Sequence, residues 1–307
     1  HTFCVTFHIL PISASCLLHI LSLCDIMVNT ERRIPVKKEF FLETQLTGRQ
    51  AALFYLGQEG FLIKYQDSYY LIDPYLSDYV DRNCCTDTVK WVRRYAAPVK
   101  PEQLDFVDYV LCSHAHFDHA DPYTLRSLAE HNEKVKFIVP EPIKNTIASY
   151  GIAPGRIIGA CAGSELRLGR CTVLPVPAAH EELHTDESGN YMELGYKLSL
   201  GSITLFHAGD CCIYDGLAEQ LKDVDLLMVP VNGRSYYKLR NDIIGNMDAE
   251  EALLLAAEVK PRLLVPMHFD LYDVNSINPA HFVDLLFRTS PRQAFHIFTP
   301  GERLIFG

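Results

Sequence analysis

The residues best suited to chemistry in this chain stand together at positions 114–119, which read H-A-H-F-D-H and follow the apolar stretch 109–112 after Ser113. In an ordinary core, the three imidazoles and the carboxylate would each need a polar partner, because burying an unpaired polar group is costly. Residues two apart in an extended segment point the same way, so one metal ion can take His114 and His116 while a second takes Asp118 and His119. The spacing therefore favours a two-metal site over the alternative of surface or helix-capping histidines.

Further ligands are expected at the ends of later apolar runs. His180 follows the run 172–177, Asp210 follows 203–207, and His268 follows 263–267. Each run has the composition of a short β-strand that ends in a ligand-type residue. The chain thus offers seven candidate metal ligands: His114, His116, Asp118, His119, His180, Asp210 and His268.

These motifs resemble those of the metallo-β-lactamase superfamily of binuclear metallohydrolases. The resemblance rests on S-H-A-H-F-D-H at 113–119, His180, H-A-G-D at 207–210 and P-M-H-F-D at 266–270, and it covers most of residues 51–307. It implies an α/β fold of the αββα sandwich type, with two packed mixed sheets and outer helices. Within the superfamily, the chain looks most like the ascorbate-6-phosphate lactonase-like branch and is also similar to the N-acyl phosphatidylethanolamine phospholipase D branch.

The resemblance also implies how the ligands divide between the two metals. It assigns His114, His116 and His180 to the first metal. It assigns Asp118, His119 and His268 to the second metal, and it makes Asp210 the residue that bridges both. The segment L-I-D-P at 71–74 matches an early strand-end aspartate of the family, so Asp73 is expected to support the metal loop without binding metal itself.

The chemistry implied is hydrolysis by a hydroxide held between two divalent metal ions, which requires no serine or cysteine nucleophile. Asp118 is the predicted catalytic residue, because it can orient the nucleophile and shuttle its proton. Zinc and manganese both suit a mixed histidine and carboxylate site, with iron as a less favoured third. Arg234 and Arg240 in the segment 232–241 are candidates for gripping a phosphate or carboxylate of the substrate, although a solvated basic loop explains them equally well.

The leading functional hypothesis is a hydrolase of a small anionic ester or lactone, with sugar-phosphate lactones included. The alternatives are a phosphodiesterase of the N-acyl phosphatidylethanolamine phospholipase D type, a di-iron oxidoreductase, and a non-catalytic metal-binding or RNA-associated module. His116 stands where an acid is often found in the di-iron type, and no flavin domain is appended. These two features weigh against the oxidoreductase.

Composition limits the partners. With 307 residues, of which 48% are hydrophobic, the chain is long enough to bury a substantial core. The net charge of −10 disfavours nucleic acid, which needs a basic surface to release counterions. We therefore expect a small-molecule substrate, no nucleic-acid or membrane partner, and at most association with further copies of this chain. The ten cysteines are scattered and include the neighbours Cys84-Cys85 and Cys211-Cys212, which is typical of reduced thiols and predicts a cytoplasmic location.

The segment 1–26 is apolar, has a single acidic residue and contains neither lysine nor arginine. It lacks the basic start of a secretory signal, and Pro11 interrupts a continuous spanning helix. We interpret 1–26 as a non-native or gene-model extension preceding a start at Met27, with a membrane anchor as the alternative. Residues 27–50 are then a lead-in, and residues 51–307 form the hydrolase domain.

The rest of the pattern predicts a β-meander over 51–55, 60–65 and 69–72, followed by a buried strand that ends at the histidine loop. Asp121 and Pro122 should begin the next helix, and Asp248 with Glu251 should cap a later one. Pro279 should open the last helix. Further strands are expected over 136–139, 166–168, 172–176, 193–200 and 226–231.

Overall fold

The computed structural model describes residues 29–32 and 34–307. The prediction made for residues 1–26 lies outside the described residues and stays a prediction.

The first sheet contains eight strands within the described residues, in the order β1-β14-β2-β3-β4-β5-β6-β7. Pairing is antiparallel from β1 to β4 and parallel from β4 to β7. The strands are β1 (Asn29–Arg32), β2 (Ala51–Gly57), β3 (Gly60–Tyr65), β4 (Ser68–Ile72), β5 (Tyr109–Leu111), β6 (Lys136–Pro140), β7 (Ile157–Ala160) and β14 (Glu302–Phe306).

The second sheet has six strands in the described part of the chain, in the order β13-β12-β11-β10-β9-β8. It is also mixed, since β11 to β13 pair in parallel and the remaining pairs are antiparallel. The strands are β8 (Leu166–Leu168), β9 (Cys171–Pro177), β10 (Leu194–Leu200), β11 (Ile203–His207), β12 (Leu226–Pro230) and β13 (Leu263–Met267).

The α-helices of the described residues are α1 (Lys38–Leu42), α2 (Tyr79–Asn83), α3 (Pro122–His131), α4 (Lys144–Ser149), α5 (Leu217–Gln220), α6 (Tyr236–Arg240), α7 (Ala249–Val259) and α8 (Pro279–Thr289). The predicted caps are present. The Asp121 carboxylate accepts a hydrogen bond from Tyr123 N, and Asp248 and Glu251 form a reciprocal capping box at the start of α7. Such caps satisfy the free N–H groups of a first helical turn.

The core lies between the two sheets and continues beneath the helices. One cluster joins Leu53 and Phe61 of the first sheet to Leu198 and Leu205 of the second. A second cluster packs the outer face of the first sheet against α3 through Leu125. This arrangement of sheets inside and helices outside is the αββα sandwich expected from the resemblance, and it follows from the need of each sheet to bury both faces.

The segment 232–241, for which a solvated basic loop was the alternative interpretation, forms the short helix α6 in its second half. The Ser235 hydroxyl caps this helix by accepting a hydrogen bond from Lys238 N at 3.2 Å. Across residues 29–32 and 34–307, none of the helices combines the length and the apolar character needed to cross a bilayer. The cysteines in this part of the chain are free thiols, as predicted.

Candidate metal centre

The candidate ligands converge because four strands deliver them to one edge of the sandwich. The histidine loop links β5 to α3, while His180, Asp210 and His268 follow β9, β11 and β13 of the other sheet. Ligand sites in such sheets commonly form beyond the carboxyl ends of parallel strands, and β5, β11 and β13 all pair in parallel with a neighbour.

The first cluster consists of His114, His116, His180 and Asp210, whose ligand atoms all lie within 4.8 Å of one another. His180 Nε2 lies 3.2 Å from His116 Nδ1 and 3.5 Å from Asp210 Oδ2. His114 Nε2 lies 3.9 Å from the same Asp210 oxygen. The three histidines assigned to the first metal are therefore brought together.

The second cluster consists of Asp118, His119 and His268, again within 4.8 Å of one another. Asp118 Oδ2 lies 3.7 Å from Nε2 of both histidines. Asp210 reaches this cluster as well, with Oδ2 at 3.5 Å from His119 Nε2 and Oδ1 at 3.2 Å from His268 Nε2. Asp210 thus lies between the two clusters, at the position expected of a bridging residue.

The hydrogen bonds of two histidines indicate that this set of side chains fits a metal. Within the described residues, the buried Nε2 atoms of His114 and His119 have no hydrogen-bond partner. Their other ring nitrogens are held, at 2.9 Å by Ser113 Oγ for His114 and at 2.9 Å by Asp73 Oδ2 for His119. Unpartnered buried polar atoms are rare, and a histidine anchored through one nitrogen with the other left open is the usual arrangement of a metal ligand.

The electrostatics of the first cluster also suit metal binding. Burial lowers the pKa of His114 well below its ordinary value, lowers the pKa of His116, and lowers the pKa of His180 to about 4. A neutral imidazole has a free lone pair, which is the form that binds metal. Burial acts to raise the pKa of Asp210, but His268, His119 and His180 outweigh it and hold that pKa well below its usual range.

His119 differs from the other histidines of the loop. Burial acts to lower its pKa, but the carboxylates of Asp210, Asp118 and Asp73 together raise it well above the ordinary value. His119 therefore provides positive charge to the carboxylates when the protein has no metal, and a bound cation would take over that role.

Asp73 makes the supporting contact predicted for it. Its carboxylate accepts hydrogen bonds from Ser113 N at 2.7 Å and Ser113 Oγ at 2.6 Å, in addition to its contact with His119. Asp73 and His268 have φ angles of 43° and 59°, in the left-handed region that is unfavourable for most side chains. Backbone strain of this kind is typical of functional sites, where the surrounding structure holds it in place.

We expect Asp73→Asn to lower metal affinity or activity by about 10- to 100-fold, the usual cost of losing a residue that orients a ligand. The amide keeps the size of the side chain but cannot accept from Ser113 N, Ser113 Oγ and His119 together. Metal content after dialysis and kcat/KM measure the effect, with the exposed Asp215→Asn as a matched control. Unchanged metal retention in Asp73→Asn would contradict the supporting role.

The sequence patterns missed two residues that hold the ligands. Gln58 Nε2 donates to Asp118 Oδ2 at 3.0 Å. Asn246 Nδ2 donates to Asp210 Oδ1 at 2.8 Å, and Asn246 Oδ1 lies 3.1 Å from His180 Nδ1. Gln58 stands in the β2-β3 turn and Asn246 in a loop before α7, where no periodic pattern indicates burial.

Two further residues near the site have structural roles. His207 is buried, with Nε2 2.8 Å from the Glu59 carbonyl and Nδ1 accepting from Gly209 N at 3.2 Å. Asp270 accepts from Tyr55 Oη at 2.9 Å and from Gln58 N at 3.3 Å. It therefore supports the turn that presents Gln58.

A cavity of about 720 Å³ opens beside the first cluster, with His180 in its wall. The other lining residues are Glu181, Glu182, His184, Arg234, Ser235, Tyr236, Lys238, Leu239 and Ile244. His116 is exposed and Asp118 is partly exposed, so solvent also reaches the clusters. A molecule of moderate size can therefore approach the candidate metal centre.

The two predicted substrate residues differ in position. Arg234 lines the cavity, but its guanidinium donates to Glu251 Oε1 and, at 2.6 Å, to Cys212 Sγ. Arg240 lies at the end of α6 and is not among the residues that line the cavity. Arg234 thus lines the cavity with its charge already paired, whereas Arg240 is not part of the cavity wall.

Comparison with known proteins agrees with the fold. The family model described as a β-lactamase superfamily domain matches residues 69–269. This span is more than half of the chain and includes all seven candidate ligands. The chain therefore belongs to this family, which confirms the resemblance seen in its motifs.

Several similar proteins are described as hydrolases, and some of them as metal-dependent. A UPF0173 metal-dependent hydrolase from Carboxydothermus hydrogenoformans is 26% identical over 257 residues, covering 82% of this chain and 98% of the relative. Igni18, a metallo hydrolase from Ignicoccus hospitalis, has a TM-score of 0.60 at 21% identity, covering 84% of this chain and 99% of its own. An isothiocyanate hydrolase from Delia radicum gut bacteria has a TM-score of 0.65 at 18% identity, covering 83% and 99%. At these identities, the two solved structures support the fold alone.

Proposed function

We propose that this protein is a binuclear metal-dependent hydrolase that acts on an ester or lactone. The observation that carries the proposal is the convergence of the two ligand clusters on Asp210, with the buried Nε2 atoms of His114 and His119 left without a partner in the described structure. The curated relatives support it, because they are described as metal-dependent hydrolases and the match covers nearly their whole length.

Two divalent cations would be held by the two groups already described, with Asp210 shared between them. Cations in such a site polarise the bond to be cleaved and lower the pKa of water towards neutrality. Zinc and manganese both suit these donors. The remaining tasks fall to the protein: binding the substrate beside the clusters, orienting it, and accepting a proton.

Asp118 is the proposed proton acceptor. Its side chain is 18% exposed, whereas those of His119 and His268 are fully buried, so it faces the open side of the site. The Gln58 amide donates to Oδ2 at 3.0 Å and so fixes the orientation of the carboxylate. A carboxylate held in this way can take a proton from attacking water and return it to the leaving group.

The cavity favours an uncharged substrate over the anionic one predicted from the sequence. Arg234 is paired with Glu251, and Lys238 Nζ donates to the carbonyls of Asn232 and Gly233 at 2.7 and 2.8 Å. Burial also lowers the pKa of Lys238 to about 8. The wall also carries two carboxylates, Glu181 and Glu182.

The apolar part of the wall indicates where the non-reacting portion of the substrate lies. Tyr236, Leu239 and Ile244 line the cavity and are 74%, 68% and 39% exposed. Covering such side chains stabilises a complex by roughly 25 cal/mol for each Å² removed from water. We therefore propose that the acyl or alkyl part of the ester or lactone packs on these three side chains.

A substrate panel tests the proposal. Protein reconstituted with zinc or manganese is assayed on neutral esters and lactones, thioesters, phosphorylated lactones and phosphodiesters. We expect turnover of neutral esters or lactones, and a loss of about 10³-fold in His116→Ala, since removing one essential charge-stabilising group costs about 10²- to 10³-fold. His281→Ala, an exposed histidine in α8, serves as the matched control.

Turnover of phosphodiesters alone would favour the phosphodiesterase alternative. Iron content accompanied by redox activity would favour the di-iron oxidoreductase. Full activity of His116→Ala on every substrate would contradict the proposed site itself.

A further inference from the structure

The turn between β2 and β3 places an acidic side chain inside the protein. Glu59 is 0% exposed, and neither of its carboxylate oxygens has a hydrogen-bond partner among the described residues. Its backbone is held in place, because His207 Nε2 lies 2.8 Å from the Glu59 carbonyl oxygen. A hairpin turn ordinarily exposes an acid to water, so the inward orientation needs a physical cause.

The groups around this carboxylate are already engaged. Oε2 of Glu59 lies 3.7 Å from His119 Nδ1, but that nitrogen contacts Asp73 Oδ2 at 2.9 Å. Both ring nitrogens of His207 are occupied by the Glu59 carbonyl and by Gly209 N. The described surroundings therefore offer Glu59 no free donor, and the nearby Asp73 and Asp210 add like charge.

A buried carboxylate without a donor is costly unless it takes up a proton or a cation compensates it. Burial and the nearby Asp210 raise the pKa of Glu59 well above its usual range, and a bound cation would instead stabilise its charged form. The position of Glu59 suggests which cation that is. Ligand atoms of Glu59, His119 and Asp210 lie within 4.8 Å of one another, the same spread as in the two clusters described above. Two of these three residues already belong to the candidate metal centre, and Glu59 approaches them from the buried side.

We propose that Glu59 is an additional ligand of the second metal position, an inference that rests on the proposed metal-dependent function. The cluster of Asp118, His119 and His268 would then gain Glu59 through His119, the residue common to both groups. Asp210 adds a further carboxylate, at 3.5 Å from His119 Nε2 and 3.2 Å from His268 Nε2. The first position has three imidazoles and shares a single carboxylate. Carboxylate-rich sites favour manganese or iron, whereas imidazole-rich sites favour zinc. The two positions therefore select different metals.

Metal competition tests this assignment. The full-length protein is stripped, dialysed against equal concentrations of zinc and manganese, and its metal content is measured by mass spectrometry. We expect wild type to retain both metals. Glu59→Gln, which keeps the shape and removes the charge, should lower the bound manganese-to-zinc ratio by about tenfold, within the 10- to 100-fold range for residues that tune a metal site.

Two further variants complete the design. Glu59→Asp retains a carboxylate on a shorter stem and should give an intermediate ratio. Glu302→Gln alters a buried carboxyl on β14 whose partners are His296 and Thr299, so it should leave the ratio unchanged. Circular dichroism of the stripped proteins establishes that each variant is folded, and a variant that fails to fold is replaced in the comparison by Glu59→Asp.

The outcomes are distinguishable. If wild type retains no metal, the proposed function fails and the Glu59 assignment fails with it. If wild type retains metal and hydrolyses esters, but Glu59→Gln and Glu59→Asp both keep the wild-type manganese-to-zinc ratio, the assignment alone is overturned.

Discussion

Asp210→Asn is expected to lower kcat/KM by about 10³-fold or more, beyond the 10- to 100-fold typical of residues that only orient a ligand. The reason is that Asp210 contacts both clusters. Its Oδ2 lies 3.9, 3.5 and 3.5 Å from Nε2 of His114, His119 and His180, and its Oδ1 lies 3.2 Å from His268 Nε2. The substitution preserves the shape and removes the negative charge that four histidines face.

The same variant should lose metal as well as activity. An amide can still accept a hydrogen bond from Asn246, which donates to Asp210 Oδ1 at 2.8 Å, so the local packing has no reason to collapse. Metal content after dialysis, kcat/KM and a thermal melt separate the loss of metal from the loss of fold. Asp215→Asn again provides the control, since Asp215 is exposed and lies outside both clusters. An Asp210→Asn protein with full metal content and activity within about tenfold of wild type would refute the bridging role.

Chelation should bring hydrolysis to the background rate and lower the melting temperature. A ligand that binds only the folded state at 100 times its Kd stabilises that state by about 2.7 kcal/mol. At about 2–4 °C per kcal/mol for a domain of this size class, removing one such cation corresponds to a drop of roughly 5–10 °C. Removing the metals leaves the buried Nε2 atoms of His114 and His119 without partners, which is the structural reason for the loss.

Addition of zinc or manganese to the stripped protein should restore both properties. Asp210→Asn supplies an internal control, because a protein that holds little metal should show almost no change in melting temperature on chelation. Activity that persists at the wild-type rate after complete removal of metal, verified by mass spectrometry, would show that hydrolysis does not need the proposed centre.

The convergence of the candidate ligands could be predicted because such residues combine two local signals. The residue types are restricted by coordination chemistry, and His180, Asp210 and His268 each stand within three residues of the end of a run whose composition indicates a strand. His180, Asp210 and His268 could therefore be found without knowing how the sheets pack. The same local character explains why the Asp121 cap and the Asp248–Glu251 capping box were predicted correctly, since a cap depends on residues within one helical turn.

Contacts between residues that are distant in the chain were decided only by the tertiary structure. Gln58 donates a hydrogen bond to Asp118, and Asn246 donates one to Asp210. The Glu59 side chain turns inward towards His119. The two residues of each pair are far apart in the sequence. The pairing of Arg234 with Glu251 is also a contact between distant residues, and it engages the cation that was predicted to bind substrate. Hydrophobic periodicity in the sequence indicates which face of a helix or strand is buried, but a polar side chain in a turn or loop belongs to no such pattern. Its partner is fixed only when the two sheets pack and bring their loops to one edge.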